Sequence, residues 1–221
     1  MSHGNFSGVL VLAFLLSILH AGASASTIVY DNTTTPVSGE RLPSGFLPFS
    51  RFAPNEEMGD EIALDGNSRV VTQFSLILSS SVRTTLSSLT VAFYRNDSND
   101  AYDYYGAPGT QLWTASDSNL TVDGTTTVTF SVPNVEVPDT FAWTVSAASD
   151  SAGLATYDPP RVGSSGNHYW DLDHSDGLWY GMWFASKPVA NFGAQVMAVP
   201  EPTTSIVLAL GGLAALWRRR R

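Results

Sequence analysis

The sequence predicts an all-β protein, an antiparallel β-sandwich of the jelly-roll kind, flanked by an N-terminal signal helix and a C-terminal apolar helix. Three observations predict it. Apolar and polar residues alternate over runs of four to eleven residues, the period of a strand that buries one face. Clusters of Gly, Pro, Asn, Asp and Ser separate these runs, and such clusters mark turns. Helical periodicity is hard to find between the two ends, where Ser and Thr abound and Lys187 is the single lysine, a composition that suits strands and turns.

Taken in chain order, the first strand is expected at Ser26 to Tyr30, followed by Glu61 to Leu64, which the turn Asp65-Gly66-Asn67 closes. Arg69 to Ser79 alternates over Val71-Thr72-Gln73-Phe74-Ser75-Leu76-Ile77-Leu78, and Ser88 to Tyr94 does the same through Leu89, Val91 and Phe93, leaving one face apolar. Ala107-Pro108-Gly109 then leads into Thr110 to Ala115, and Asp123-Gly124 into Thr125 to Val132. Thr140 to Ala147 and Ala152 to Tyr157 precede the Pro159-Pro160 break, after which Leu178 to Ala185 and Asn191 to Val199 complete a set of ten. That number of short strands without long helices argues for two packed antiparallel layers.

The two ends have a different character. Gly8 to Leu19 is an apolar block, and Ala23-Ser24-Ala25 places small side chains at −3 and −1 of a cut before Ser26. This is the pattern of a secretory signal read by signal peptidase, although no Lys or Arg precedes the block. At the other end, Val199-Pro200-Glu201-Pro202 is followed by the apolar stretch Thr203 to Trp217 and by Arg218, Arg219, Arg220 and Arg221. As a helix that stretch spans roughly 22 Å, less than the roughly 30 Å of a hydrocarbon core, and it crosses only by drawing on its flanks or on local thinning. The arginines favour the cytoplasmic side. The expected division is residues 1–25 as signal peptide, 26–198 as an extracellular all-β domain, and 199–221 as a tail with a short transmembrane helix at 203–217.

Pro-Glu-Pro, a short apolar helix and a terminal arginine cluster, in that order, resemble the PEP-CTERM sorting signal of bacterial exported proteins. The resemblance implies recognition by an exosortase, a membrane protease thought to cleave near Pro-Glu-Pro. It implies anchoring through the C-terminal helix before processing, then a place at the cell surface or outside the cell. A looser resemblance covers the middle of the chain. Gly59 to Ser75, Ala107 to Trp113, Val137 to Val145 and Pro159 to Ser165 are similar to segments of choice-of-anchor domains. That likeness implies an all-β extracellular module. Exopolysaccharide as a partner is likewise implied by the sorting family.

Charge and composition narrow the function classes. Apart from the leader and the four terminal arginines, the chain carries seven basic and twenty acidic residues, a net charge of −13. Such a surface repels nucleic acid and anionic lipid. No cysteine is present, which removes disulfides, thiolate zinc sites and cysteine nucleophiles.

Catalytic motifs are not found. Gly163-Ser164-Ser165-Gly166 lacks the spacing of a nucleophile elbow and is expected to be a loop, and no glycine-rich run precedes a Lys-Ser or Lys-Thr pair. Glu56, Glu57, Asp60 and Glu61, the densest acidic group, are expected in a charged loop. No metal site is assigned. His168 and His174 fall in a segment with Asp171, Asp173 and Asp176 that is expected to be solvated loop. Calcium is the one ion entertained, at Asp171 to Gly177 or at Asn96 to Asp103, because alternating oxygens there imitate a calcium loop. Tyr102, Tyr104, Tyr105 and Trp179 are the candidate ligand residues, since exposed rings stack on sugar faces. The expected function is that of an exported, non-catalytic surface or matrix-associated protein. The alternative is a carbohydrate-binding or polysaccharide-degrading extracellular protein.

Overall fold

The computed structural model describes residues 25–37, 49–51, 56–99, 101–102, 106–147, 149, 151–183 and 191–201. These residues form strands and contain no helix. In chain order the strands are β1 (Thr27–Asp31), β2 (Phe49–Arg51), β3 (Glu56–Ala63), β4 (Ser68–Ser80), β5 (Thr84–Tyr94), β6 (Ala101–Tyr102) and β7 (Gln111–Val122). They continue as β8 (Thr125–Glu136), β9 (Thr140–Ala147), β10 (Ala152–Tyr157), β11 (Ser164–Asp173), β12 (Leu178–Trp183), β13 (Asn191–Phe192) and β14 (Ala194–Pro200). The terminal helices expected from sequence, including the stretch 203–217, lie outside the described residues. Among the described residues no helix is long and apolar enough to cross a membrane.

Two sheets result. In the first, β1, β14, β4, β10 and β13 follow one another, while β8 pairs with β4 and β2 with β10. The second runs β6-β12-β11-β3-β9-β5-β7. All pairings are antiparallel apart from β12 with β6, a short parallel contact at one edge. The β7–β8 turn carries the chain from one sheet to the other at Asp123-Gly124. Gly124 there takes φ +59°, a left-handed conformation that favours glycine in tight turns.

Alternation places one face of each sheet in a shared core. Phe74, Leu76 and Leu78 of β4, Leu89, Val91 and Phe93 of β5, Val128, Phe130 and Val132 of β8, and Phe141, Trp143 and Val145 of β9 all belong to one buried cluster. In β4 the period slips once, so that Val71 and Phe74, three apart, share the inner face. The pairing with β8 shifts register at this point, between Val71 and Gln73, as a bulge requires. Rings lock the layers together: the Phe74 centroid lies 5.2 Å from that of Phe93 and 5.1 Å from that of Trp143, both on the opposite sheet.

The second sheet is also covered on its outer face. Ala142, Trp170 and Trp179 are buried there beneath Ala107, with Tyr94 and Leu172 packed against them. Residues 95–99 and 106–110, which bring Ala107 to this face, are held to each other by hydrogen bonds from Arg95 N–H to the Thr110 carbonyl (2.8 Å) and from Ser98 N–H to the Ala107 carbonyl (3.1 Å).

Where β3 passes β9, Gly59 leaves room for nothing else. A Cβ at that position would lie 2.5 Å from the Thr144 Cα and closer still to the Trp143 carbonyl oxygen. Gly59→Ala is therefore expected to force β3 and β9 apart and cost about 1–3 kcal/mol, as overpacking of a filled interior does. A urea-denaturation midpoint equal to that of the parent would refute this.

Candidate functional site

The C-terminal motif emerges from the middle of a sheet. β14 pairs with β4 from Ala194 opposite Leu76 to Pro200 opposite Ser68. On its other side it pairs with β1, from Gln195 opposite Asp31 to Ala198 opposite Thr27. Val199 and Pro200 of the sorting motif are thus still strand residues, and Glu201 follows exposed. Because Thr27 faces Ala198, the start of the domain and its end issue from the same end of the first sheet. Of the expected signal-cleavage residues, Ala25 and Ser26 are exposed there, with Ser26 Oγ 2.9 Å from Thr72 Oγ1. Ala23, Pro202 and Arg218 to Arg221 lie outside the described residues.

The acidic group expected in a loop is strand β3, at the centre of the second sheet. Alternation divides its carboxylates. Asp60 turns into the core and is wholly buried, whereas Glu57 and Glu61 turn to the outer face. Asp60 Oδ1 accepts from Ser165 Oγ at 2.8 Å and Oδ2 from Phe192 N–H at 3.3 Å. Asn191 continues the cluster, its Oδ1 lying 3.0 Å from Ser165 Oγ and its Nδ2 donating to Asp158 at 3.1 Å. Burial pushes the Asp60 carboxyl up to about 8, against the opposing pull of the hydrogen bonds from Ser165 and Phe192. The Tyr30 hydroxyl in the same region is pushed well up, first by burial and then by the Asp60 charge. This cluster ties β3 and β11 of one sheet to β13 beside the other.

On the outer face, Thr144 Oγ1 donates to Glu57, and Asn96 Nδ2 donates to Glu61 at 2.9 Å. Burial followed by the Glu57 charge raises the Tyr94 phenol. Asp60 and Glu61, adjacent in the chain, point to opposite faces of the sheet, so the two cannot flank one glycosidic bond.

The segment expected as solvated loop around His168 is β11, a strand that pairs with β3 and β12. His168 stacks edge-on to Trp170 at 5.4 Å, and partial burial lowers its pKa. Asp171 is raised to about 6 by burial, with Glu56 and Asp173 adding to the effect. The residues of the calcium-like run form the β11–β12 turn instead: Asp173 accepts from Ser175 N–H at 2.7 Å, and Asp176 from Leu178 N–H at 2.9 Å and the Tyr180 hydroxyl at 2.6 Å. Asp97, of the other calcium-like run, clamps Thr110, accepting from its N–H at 2.7 Å and its hydroxyl at 2.8 Å. Those bonds hold its carboxyl below the usual range. Among the described residues no three His, Cys, Asp or Glu side chains gather as a metal site would need.

The aromatic candidates separate. Trp179 is buried and meets Tyr94 edge-on at 5.9 Å. Tyr102 lies in β6 opposite Tyr180, and Tyr104 and Tyr105 lie outside the described residues. Trp183, which meets the His168 ring at 5.8 Å, is at 54% exposure the most open of the large rings among the described residues. The Asp60–Ser165–Asn191 cluster is what reading the sequence missed. A signal was present, because Met58, Asp60 and Ile62 share one parity and Asp60 therefore sits on an apolar stripe.

A family model described as the PEP-CTERM protein-sorting motif matches residues 198–221. No curated protein and no solved structure matches the chain.

Proposed function

We infer from the matched motif an exported protein that an exosortase, a membrane protease-like enzyme, sorts from a transient membrane anchor toward the cell surface. Building on it, we propose that this chain is a non-catalytic surface or matrix-associated protein. Its leader is removed before Ser26, its β-sandwich is displayed outside the cell, and its tail holds the membrane through residues 203–217 until processing. The observation that supports the proposal is the placement of the motif, which begins in the last residues of β14 and runs on past the sheet. Only Glu201 and Pro202 separate that strand from Thr203, a span of at most about 11 Å. The end of the sandwich that bears Ser26 and Pro200 consequently faces the membrane during sorting, and both export segments reach the bilayer from one side.

The net negative domain suits release into solution more than adhesion to anionic lipid. A non-catalytic role is supported by the engagement of the β3 carboxylates: Asp60 is enclosed, Glu57 is bonded to Thr144 and Glu61 to Asn96. The likeness to choice-of-anchor modules belongs to the same proposal. The segments that carry it, Gly59 to Ser75 and Val137 to Val145, fall in β3, β4 and β9. Extracellular polysaccharide is the partner expected of such a module.

Expression in the native host tests the proposal. The parent chain is expected in the surface or medium fraction. A variant with Glu201 and Pro202 changed to alanine, or with Arg218 to Arg221 changed to alanine, is expected to stay in the membrane fraction. Equal release of parent and variants would refute sorting through the tail.

Sugar binding is the second reading, and the exposed Trp183 favours it. A glycan array probed with the protein is then expected to show binding that Trp183→Ala removes while the urea midpoint is kept. Absence of binding by the parent, with and without calcium, would refute it.

A further inference from the structure

We propose that the buried oxygens gathered around Ser165 hold one calcium ion between the two sheets. The proposal stands apart from the sorting reading and draws on no residue of the tail.

A hydrogen count motivates it. The Ser165 hydroxyl has one proton, yet three acceptors surround its Oγ: Asp60 Oδ1 at 2.8 Å, the Glu61 carbonyl oxygen at 2.9 Å and Asn191 Oδ1 at 3.0 Å. It can serve one of them. The Asn191 amide is already oriented, because its Nδ2 donates to Asp158 at 3.1 Å and leaves Oδ1 toward Ser165. The cluster is therefore rich in lone pairs and short of donors, and burial makes each unmet acceptor costly.

Two more oxygens are left over beside it. Tyr30 Oη and Asn32 Oδ1 belong to wholly buried side chains and have no hydrogen-bond partner among the described residues. The Tyr30 hydroxyl is near enough to Asp60, Ser165 and Asn32 for each to bear on its proton. Phe192 joins Asn32 to the cluster: its carbonyl accepts from Asn32 Nδ2 at 3.2 Å, and its N–H donates to Asp60 Oδ2 at 3.3 Å. The backbone opens at the same place. The β3–β11 ladder shifts register between Ser165, opposite Ile62, and Tyr169, opposite Asp60, so Glu61 alone faces residues 166–168. A bulge of this kind re-aims the side chains next to it.

Calcium fits this donor set. It takes roughly six to eight oxygens at about 2.3–2.6 Å from carboxylates, amide and backbone carbonyls and water, so neighbouring ligands stand about 2.7–3.7 Å apart. The three oxygens around Ser165 Oγ lie within that spacing. No Lys or Arg among the described residues pairs with Asp60. Asp60 and, behind Asn191, Asp158 bring the two negative charges that a divalent ion needs. Neutral oxygens complete the shell in place of a third acid, which sets a weak affinity of roughly 0.1–1 mM, that of extracellular calcium modules. Without the ion, a proton on Asp60 meets part of the shortage, so ion and proton compete for one carboxylate.

The test uses the purified full chain, stripped of metal with a chelator, at pH 8 and constant ionic strength. Adding about 10 mM calcium is expected to raise the thermal midpoint by about 3–10 °C, and equilibrium dialysis is expected to show an ion that the parent binds and Asp60→Asn does not. Asp60→Asn keeps the shape of the side chain and is expected to lose the rise. Asp97→Asn and Asp173→Asn, in the two calcium-like surface runs, are expected to keep it. Ser165→Ala, at a half-buried position, is expected to weaken binding about tenfold or more, and it decides the matter if Asp60→Asn does not fold. No rise in the parent, or an equal rise in Asp60→Asn, would overturn the proposal. So would an unchanged affinity in Ser165→Ala, or an equal rise with sodium in place of calcium.

Discussion

Trp143→Ala is expected to destabilise the domain by about 3–5 kcal/mol, the range for emptying a large aromatic site in a packed core. Trp143 is fully buried on the inner face of β9 and meets Phe74 across the sandwich at 5.1 Å and Phe192 at 6.3 Å. Its neighbours belong to several strands in two sheets and cannot collapse into the void together. Against a typical domain stability of about 5–15 kcal/mol, such a loss leaves much of the chain unfolded or close to it. Trp143→Phe supplies the control. The indole N–H has no acceptor among the described residues, so removing it abandons no hydrogen bond, and the phenyl ring keeps most of the contact. Denaturant titration of the two variants is expected to separate them widely. Similar midpoints for both would mean that Trp143 does not join the two sheets.

The second large effect is a dependence on pH centred on Asp60. Its folded-state pKa of about 8 lies above the ordinary 3.8 because burial disfavours the charge. Between those values the native state keeps a proton that the unfolded chain has released. Stability contributed by the neutral carboxyl is thus fully present below the ordinary pKa and is lost as pH rises toward about 8, at about 1.4 kcal/mol per unit. Asp171, raised to about 6, contributes a slope of the same sign that ends lower. His168, lowered by burial, contributes one of opposite sign that ends near its ordinary value of 6.5. From pH 6.5 to 8, Asp60 therefore dominates. Urea midpoints of the parent are expected to fall across that interval and those of Asp60→Asn to stay level. The slope is the readout, so a changed baseline stability in the variant does not obscure it. An unchanged slope in Asp60→Asn would place the titrating group elsewhere.

Alternation made β4, β5 and β8 legible, because Phe74, Leu76 and Leu78, or Val128, Phe130 and Val132, recur at every second position, with Ser75 in the first run and Thr129 and Ser131 in the second turned the other way. The C-terminal motif was legible for a different reason, since Pro-Glu-Pro before an apolar stretch is read by enzymes as linear sequence. β3 was legible only in its second half. Glu56, Glu57, Asp60 and Glu61 look like a solvated loop when each charge is assumed to need water. In the fold, Glu57 finds Thr144 and Glu61 finds Asn96 as partners, and Asp60 takes its hydrogen bonds from β11 and from Phe192, which are distant in sequence. β11 was obscured in the same way, because Asn167, His168 and three aspartates suggest a turn. What makes it a strand is pairing with β3 and β12 and the burial of Trp170 against Trp179, none of which is local. β2 and β6, of three and two residues, carry too few side chains for any period to show. The ligand-stacking role expected of Trp179 met a similar limit: a tryptophan looks the same in sequence whether a loop covers it or not.

The account rests on one claim, that an exported β-sandwich is delivered through the tail at residues 198–221. Its most direct test is to follow this chain in the native host with the exosortase present and with it inactivated. The account predicts a smaller form at the surface or in the medium when the enzyme is present. Without it, a larger, tail-bearing form should accumulate in the membrane fraction. The same processed and released form in both backgrounds would contradict it.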